Sequence, residues 1–537
     1  MGGCVRMRAL RAVALLMTVT LAGAACGSGD PPPERVRPAA TRAGSPAPGA
    51  APVAYTVRGM AGFYVAEPFR IDVKAVERGP GVTVLRMEIT NTGGGDARGH
   101  FGAGGSPSDF SAFRLLDPVG RKIYHTLREN DWNGLAFGTR HTLAGTGFPE
   151  DFAPGVRYPA EVYFPPLPPE ARAVTVAPGM GFPPITGVPV KDGGAAPVAR
   201  PRGTAEPKAG EAFQWPVVPP SGKVWSWAAD LTELVETPRK TTTQEGATET
   251  VGLRTDVLFA FDKATLSPEA AAVLDEVAEE TRRRADPARP PIRIVGHTDD
   301  KGGDSYNLAL SLRRAQAVRG HLAARLGTEY RYSPEGKGET APIAANRRPD
   351  GSDNPEGRAR NRRVDVSYTI RRHGAGTTTT EPAVTGRIRG STLGPARFRA
   401  TPGAPVASFD WAPVRERELR VDVLPFYRDG AYLVACFDVT NKYGDGFSLA
   451  QPQPFAKGSH DFSNGASLRA FTLLDPATRA RYHPVKAGGS FVENVVGALD
   501  PGETTRAYVY FPAPPDDRTS IDLDVAGLGR RTIPIVR

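Results

Sequence analysis

Cysteine is nearly absent from this chain: three in 537 residues, at Cys4, Cys26 and Cys436. Two fall within the first 26 residues, so the body retains Cys436 alone and has no disulfide framework. Enzyme signatures are missing as well. No HExxH, CxxC, GxSxG, Walker A or dinucleotide glycine pattern occurs, and no catalytic residue is read. Long apolar runs are lacking too. The run Ala12–Ala22 is too short to span a bilayer as a stable anchor. An acidic excess is also missing: Lys+Arg 67 against Asp+Glu 58 leaves +9. That balance suits a polyanionic surface such as a cell wall. No basic stripe interleaved with aromatics appears, so nucleic acid is not indicated.

What is present begins with a leader. Arg6, Arg8 and Arg11 precede the apolar run, and LAGAAC follows, ending at Cys26. Residues 1–25 read as a secretory signal. The segment resembles a lipoprotein signal with Cys26 as the lipidated residue, although Gly23 stands where the pattern has Leu. Residues 26–54 are rich in Pro, Ala and Gly, cannot bury a core, and read as a disordered tether. Similar breaks at 191–221 and 373–412 read as linkers.

The segments between the linkers repeat. Ile71–Asn91 aligns without gaps to Val421–Asn441, Phe113–His125 to Phe471–His483, and Val162–Pro165 to Val509–Pro512. Leu85, Met87 and Ile89 alternate with polar positions, as do Ala435, Phe437 and Val439, which predicts half-buried strands. Short strands with Gly/Pro/Asp turns predict two related all-β, immunoglobulin-like sandwich domains at 55–190 and 413–537. The duplicated DPxxRxxYH stretch predicts a β-hairpin.

The chemistry concentrates at 222–372. Trp225–Val235 and Thr250–Phe261 predict a strand pair, and Ser267-Pro268-Glu269 predicts a helix start. Ile292–Val295 predicts a strand running into a polar loop with His297, Thr298 and Asp299. A helix follows from about Ser305, with Leu308, Leu312, Ala315, Leu322 and Leu326 as its buried stripe at about 100° per residue. Asn307 and Arg314 then lie at the edge of that stripe near the loop, and Asp299 and Arg314 are expected to be partly exposed. An acid and a guanidinium fork so placed make a two-point receptor for a zwitterion. Asp299, Asp300 and Asp304 do not make a calcium loop, because no bidentate Glu follows at the right place. No metal or cofactor site is read. Arg358, Arg360, Arg362 and Arg363 fit either a contact to anionic glycan-peptide or solvated charge.

The stretches GHTD, NLALSLRRAQAV, GKGETAPIAANR and GRARNRRVDV, after DVLFAFDKATLSPEA, resemble the OmpA-like peptidoglycan-binding domain family. The resemblance covers roughly 120 residues. It implies a β-α-β-α-β-β fold and non-covalent binding of diaminopimelate in peptidoglycan stem peptides. It also implies Asp299 and Arg314 as the ligand pair, with Thr298, Asn307 and Leu308 shaping the pocket.

The fold class expected is therefore multidomain: a central α/β OmpA-like domain between two all-β domains. The function expected is that of an exported, non-enzymatic envelope lipoprotein, membrane-anchored through Cys26 and facing the cell wall. Its partners would be peptidoglycan and the membrane, with a protein partner for the β-domains. The alternative is an envelope enzyme or sensor whose β-domains act while the central domain localises it.

Overall fold

The computed structural model describes residues 54–536 apart from 63–65, 103–108, 142–149, 287, 289, 349, 372–387, 391–392, 401–402, 415–416, 445–446, 449–467, 489, 495–497 and 526–527. The leader, the tether and Cys26 lie outside the described residues. Three sets of paired strands make up the rest, the middle one carrying helices.

In the N-terminal set, Glu67–Gly79 pairs antiparallel with Tyr55–Ala61 and Val82–Asn91, and Val82–Asn91 pairs with Arg157–Phe164. Arg114–Asp117 pairs with Lys122–His125 and with Ala173–Ala177. The C-terminal set has the corresponding ladders. Arg417–Val423 pairs with Ala407–Val414 and Tyr432–Asn441, and Tyr432–Asn441 pairs with Thr504–Pro512. Ile71 faces Ile89, and Val421 faces Val439, each 350 positions on. One difference has a plain cause. The long strand Glu67–Gly79 carries a bulge between Val73 and Ala75. Its counterpart stops at Val423 and resumes at Phe426, because Pro425 has no N–H to give the ladder.

Both duplicated hairpins are built alike. Asp117 accepts from the N–H groups of Val119 (3.1 Å) and Gly120 (2.8 Å), and Asp475 accepts from that of Ala477 (3.0 Å). Each turn ends on an arginine in the left-handed region, Arg121 at φ 57° and Arg479 at φ 58°. The carboxylate stabilises the turn by taking backbone donors that no strand neighbour can reach.

The middle set places Lys240–Glu245, Thr248–Arg254, Arg363–Thr369, Ile292–Gly296 and Tyr332–Gly336 side by side. Only Ile292–Gly296 and Tyr332–Gly336 run parallel. The helices Pro268–Arg284 and Asp304–Leu326 pack on this sheet over a core that includes Leu253, Val273, Leu274, Val277, Ile292, Ile294, Val318, Leu322, Val364 and Val366. Ser267 caps the first helix by accepting from Ala270 N–H at 3.1 Å, with Pro268 at its first position.

The strand Ala228–Glu236 ties the three sets together. It pairs with Lys240–Glu245. Its first residues pair with the N-terminal hairpin (Ala228↔Tyr124) and its last with the C-terminal one (Val235↔Tyr482). Beneath it lies a buried charge network. Arg121 ion-pairs Glu233. Arg389 lies 3.7 Å from Glu233 and 3.4 Å from Glu249, and donates to Gln244 and to the Thr242 carbonyl, each at 3.0 Å. Arg284 reaches Glu249 at 2.8 Å. Arg121 also lies 5.8 Å from the Tyr432 ring centre, so residues from all three sets meet here, and parting the N-terminal set from the middle one would strand a buried charge.

Several expectations are corrected. The stretch 191–221 is not a free linker: Phe213 and Trp215 are buried in the N-terminal core, Trp215 stacks on Tyr158 with ring centroids 4.1 Å apart, and Val217–Val218 pairs with Gly138–Thr139. Of 373–412, Ile388 and Arg389 are buried and the strand Ala407–Val414 lies across the expected boundary at 413. The pair expected from Trp225–Val235 and Thr250–Phe261 is displaced. Lys240–Glu245 stands between Ala228–Glu236 and Thr248–Arg254, while Thr255–Leu258 is a helical turn. The stripe on the long helix is rotated. Leu308 and Leu312 are 52% and 37% exposed, while Asn307, Leu310, Ser311, Arg314, Ala315, Val318, Leu322 and Leu326 are buried. The reason is backbone contact. A Cβ on Gly296 would stand 2.0 Å from the Ser311 carbonyl oxygen, and one on Gly336 would stand 2.7 Å from that of Leu308. Two glycines let the helix backbone lie directly on the strands at Leu308 and Ser311, so its first turns bury Asn307 and Ser311 where Leu308 and Leu312 were expected.

Candidate functional site

The site lies where the strand Ile292–Gly296 ends and the helix Asp304–Leu326 begins. The intervening loop is anchored by Thr298 N–H donating to Gly338 O at 2.9 Å, and it turns at Gly302, φ 100°. Asp299 accepts from Lys301 N–H at 3.2 Å through Oδ1 and from Arg362 Nη1 at 2.8 Å through Oδ2. Arg358 Nε lies 3.6 Å from the same oxygen. The short helix Pro355–Asn361 carries Arg358, and Arg362 follows at its C-terminal end. Asn354 caps it through Gly357 N–H at 3.2 Å, and Asn361 locks it by accepting from Ile343 and Ala344 N–H.

Arg314 comes from the long helix. Its Nε donates to Lys263 O at 3.0 Å and its guanidinium lies 5.4 Å from the Phe259 ring centre. Its two terminal nitrogens have no protein partner among the described residues. Burial lowers its pKa from the usual arginine value, with Asp262 and Asp256 opposing. Hydrogen bonding to Asp256, then burial in opposition and the bond to Asp299, act on Arg362, whose pKa is raised. Asn307 donates to Glu339 at 2.7 Å. His297 Nε2 sits 3.2 Å from Asp365.

Thr298, Asp299, Asn307 and Arg314 are thus buried side chains on adjoining elements. Leu308 instead points outward at the rim, beside exposed Tyr306, whose hydroxyl donates to Asp262. The expected partial exposure of Asp299 and Arg314 does not hold: they are 7% and 5% exposed. Each is enclosed by groups the sequence did not single out, Asp256, Phe259, Lys263 and Glu339 among them. Three polar atoms of the loop have no protein partner although buried, His297 Nδ1, Thr298 Oγ1 and Asp300 Oδ1. Buried polar atoms are nearly always satisfied, so these donors and acceptors are open to a small polar ligand or water. Chemically, the site offers an anchored carboxylate, an unused guanidinium fork and unpaired polar atoms. Those groups are the complements of a polar zwitterion's two charges, and among the described residues of the site no nucleophile stands beside a base.

Residues 258–356 match the model of the OmpA family and form an OmpA-like domain. Over 111 residues the chain is 42% identical to Outer membrane protein A of Bordetella avium, covering 21% of this chain and 53% of the relative. Over 94 residues it is 40% identical to Outer membrane protein A of Escherichia coli O157:H7, covering 18% and 27%. The chain thus spans about half or less of these relatives' length. Among solved structures, the cell wall anchor of the T6SS from Pseudomonas aeruginosa is 31% identical, with 25% of this chain and 89% of that chain covered and a TM-score of 0.22.

Proposed function

We propose that this chain, whose residues 258–356 form an OmpA-like domain, is a non-enzymatic envelope protein that holds peptidoglycan non-covalently. The ligand is the diaminopimelate of a stem peptide. Arg314 takes its carboxylate, Asp299 takes its ammonium, and Thr298, Asn307 and Leu308 shape the pocket. The observation that carries this reading is the unused fork of Arg314, buried beside a loop whose acid is already held in place. A guanidinium 5% exposed, with Asp262 and Asp256 near it but no carboxylate at ion-pair distance among the described residues, favours a bidentate anion.

In the same proposal, Cys26 carries a lipid that anchors the exported chain to a membrane. The two flanking sets of strands are related immunoglobulin-like sandwiches offered to a protein partner. The matched registers at Ile71↔Ile89 and Val421↔Val439 support that relation.

The test is co-sedimentation of the whole chain with purified sacculi. Wild type should pellet, and free diaminopimelate-containing stem peptide should compete. An Arg314→Gln chain that folds and pellets like wild type would refute the pocket. For the anchor, Cys26→Ser should move the protein from the membrane fraction to the soluble one. Unchanged partitioning would remove that part of the proposal.

A further inference from the structure

A second concave site lies between the OmpA-like domain and the C-terminal strands, with a volume of about 520 Å³. Six arginines line it. Arg254, Arg360 and Arg363 come from the OmpA-like side, and Arg479, Arg481 and Arg530 from the other. The lining carboxylates are Glu236 and Glu356. Some of this charge is balanced. Arg363 meets Asp365 at 3.0 Å, Arg481 and Arg530 meet Asp524 at 2.7 and 3.8 Å, and Arg360 meets Glu356 at 3.5 Å. Four of the six guanidiniums are thus paired, which leaves two. Arg254 and Arg479 have no ion pair among the described residues, and one stands on each wall.

We infer that this cleft binds a phosphate group, held between the two walls by Arg254 and Arg479. A carboxylate carries one charge and its oxygens lie in a plane, which satisfies a single fork. A phosphate carries up to two charges and offers oxygens in several directions, which matches the two remaining guanidiniums arriving from opposite sides. The six-arginine lining raises the local anion concentration before contact. The short helix Pro355–Asn361 joins this cleft to the Asp299 site: Arg358 and Arg362 face Asp299, whereas Glu356 and Arg360 line the cleft. The phosphate belongs either to a small free molecule or to a phosphodiester wall polymer, and the chemistry of recognition is the same.

Calorimetric titration of the whole chain at fixed ionic strength tests this, with pyrophosphate in one arm and poly(glycerol phosphate) in the other. Wild type should bind at least one of them saturably. The Arg254→Gln/Arg479→Gln double variant should bind it about 10-fold or more weakly. Arg283→Gln, an exposed arginine on another helix, should leave binding unchanged. Tighter binding of the polymer at equal phosphate concentration identifies a wall source, and tighter binding of pyrophosphate a small molecule. Asp299→Asn should keep phosphate binding even where it loses sacculi, so this inference and the wall-binding reading fail separately. No saturable binding in either arm, or an equal loss in Arg283→Gln, overturns it. Should the double variant misfold by circular dichroism, Arg479→Gln at its exposed turn carries the test, and wild-type affinity there overturns it equally.

Discussion

Arg362 donates to the Asp299 carboxylate at 2.8 Å and forks onto Asp256 at 3.2 and 2.9 Å. The acid proposed to receive a ligand ammonium is therefore already braced from the far side of the domain. Its position is set before the ligand arrives, which lowers the ordering cost of binding. The same bracing means that its removal is felt by the fold.

Asp299→Ala should thus lower both binding and stability. It leaves Arg358 and Arg362 facing each other without their shared acid, at a cost of about 1–3 kcal/mol. Sacculus binding should fall about 10- to 100-fold. Arg314→Lys keeps the charge but loses the fork, and should recover binding only in part. Thermal melting and co-sedimentation on the same samples separate the two effects. A normal melting midpoint for Asp299→Ala would show that the Arg362 contact contributes nothing to the fold.

Arg389→Met should be among the most damaging single changes outside the hydrophobic cores. Arg389 is buried against Glu233, Glu249, Gln244 and Thr242. Removing it leaves Glu233 to Arg121 alone and Glu249 to Arg284, and takes the donors from Gln244 and the Thr242 carbonyl, which typically costs about 1–3 kcal/mol. Chemical denaturation should show the midpoint moving down. A second transition should separate, because the three sets of strands share this network.

Stability of the N-terminal part should fall with acid. His141 is fully enclosed, stacked on Trp215 with ring centroids 5.0 Å apart, and burial lowers its pKa to about 4. The unfolded ring titrates near 6.5. Between those values the unfolded chain binds the extra proton, so stability is full above about pH 6.5 and is lost as pH falls toward 4. The loss is on the order of 3 kcal/mol. Melting curves followed by tryptophan fluorescence from pH 4 to 8 should show the slope in wild type and a flatter one in His141→Phe. Equal slopes would mean that other groups govern it.

Cys436 should be inert while the chain is folded. It is 2% exposed and burial pushes its thiol up to about 12, so almost no thiolate exists at neutral pH. Iodoacetamide should label it only after denaturation. Rapid labelling of native protein would mean that the strand Tyr432–Asn441 opens readily.

The central domain was legible because five motifs stand in order at fixed spacing, and the flanking repeats because three blocks match in the same order, at offsets of 350, 358 and 347 that differ only by loop insertions. The long helix was misread for a physical reason. Asn307, Ser311 and Arg314 occupy its inward face, and counting apolar positions cannot see polar residues that are buried. The signal that could have corrected it was Gly296 and Gly336, whose missing side chains admit the helix backbone. In the Pro-rich stretch after 191, Phe213, Trp215 and Val217 alternate as a strand does, but composition hid them. Arg389 gave no signal, since a lone arginine after a low-complexity run has no pattern to betray its three-way contact.

The strand Ala228–Glu236 also has a history in time. One part of its edge meets a hairpin already made, while another waits for Ala480–Tyr482 and Lys486–Ala487. Those partners are synthesised about 240 residues later, tens of seconds at ~5–20 residues per second. Throughout that interval the chain holds an open, hydrogen-bonding edge at its centre. Premature termination anywhere before the last hairpin leaves that edge permanently exposed, and truncated chains should aggregate rather than persist as smaller working proteins.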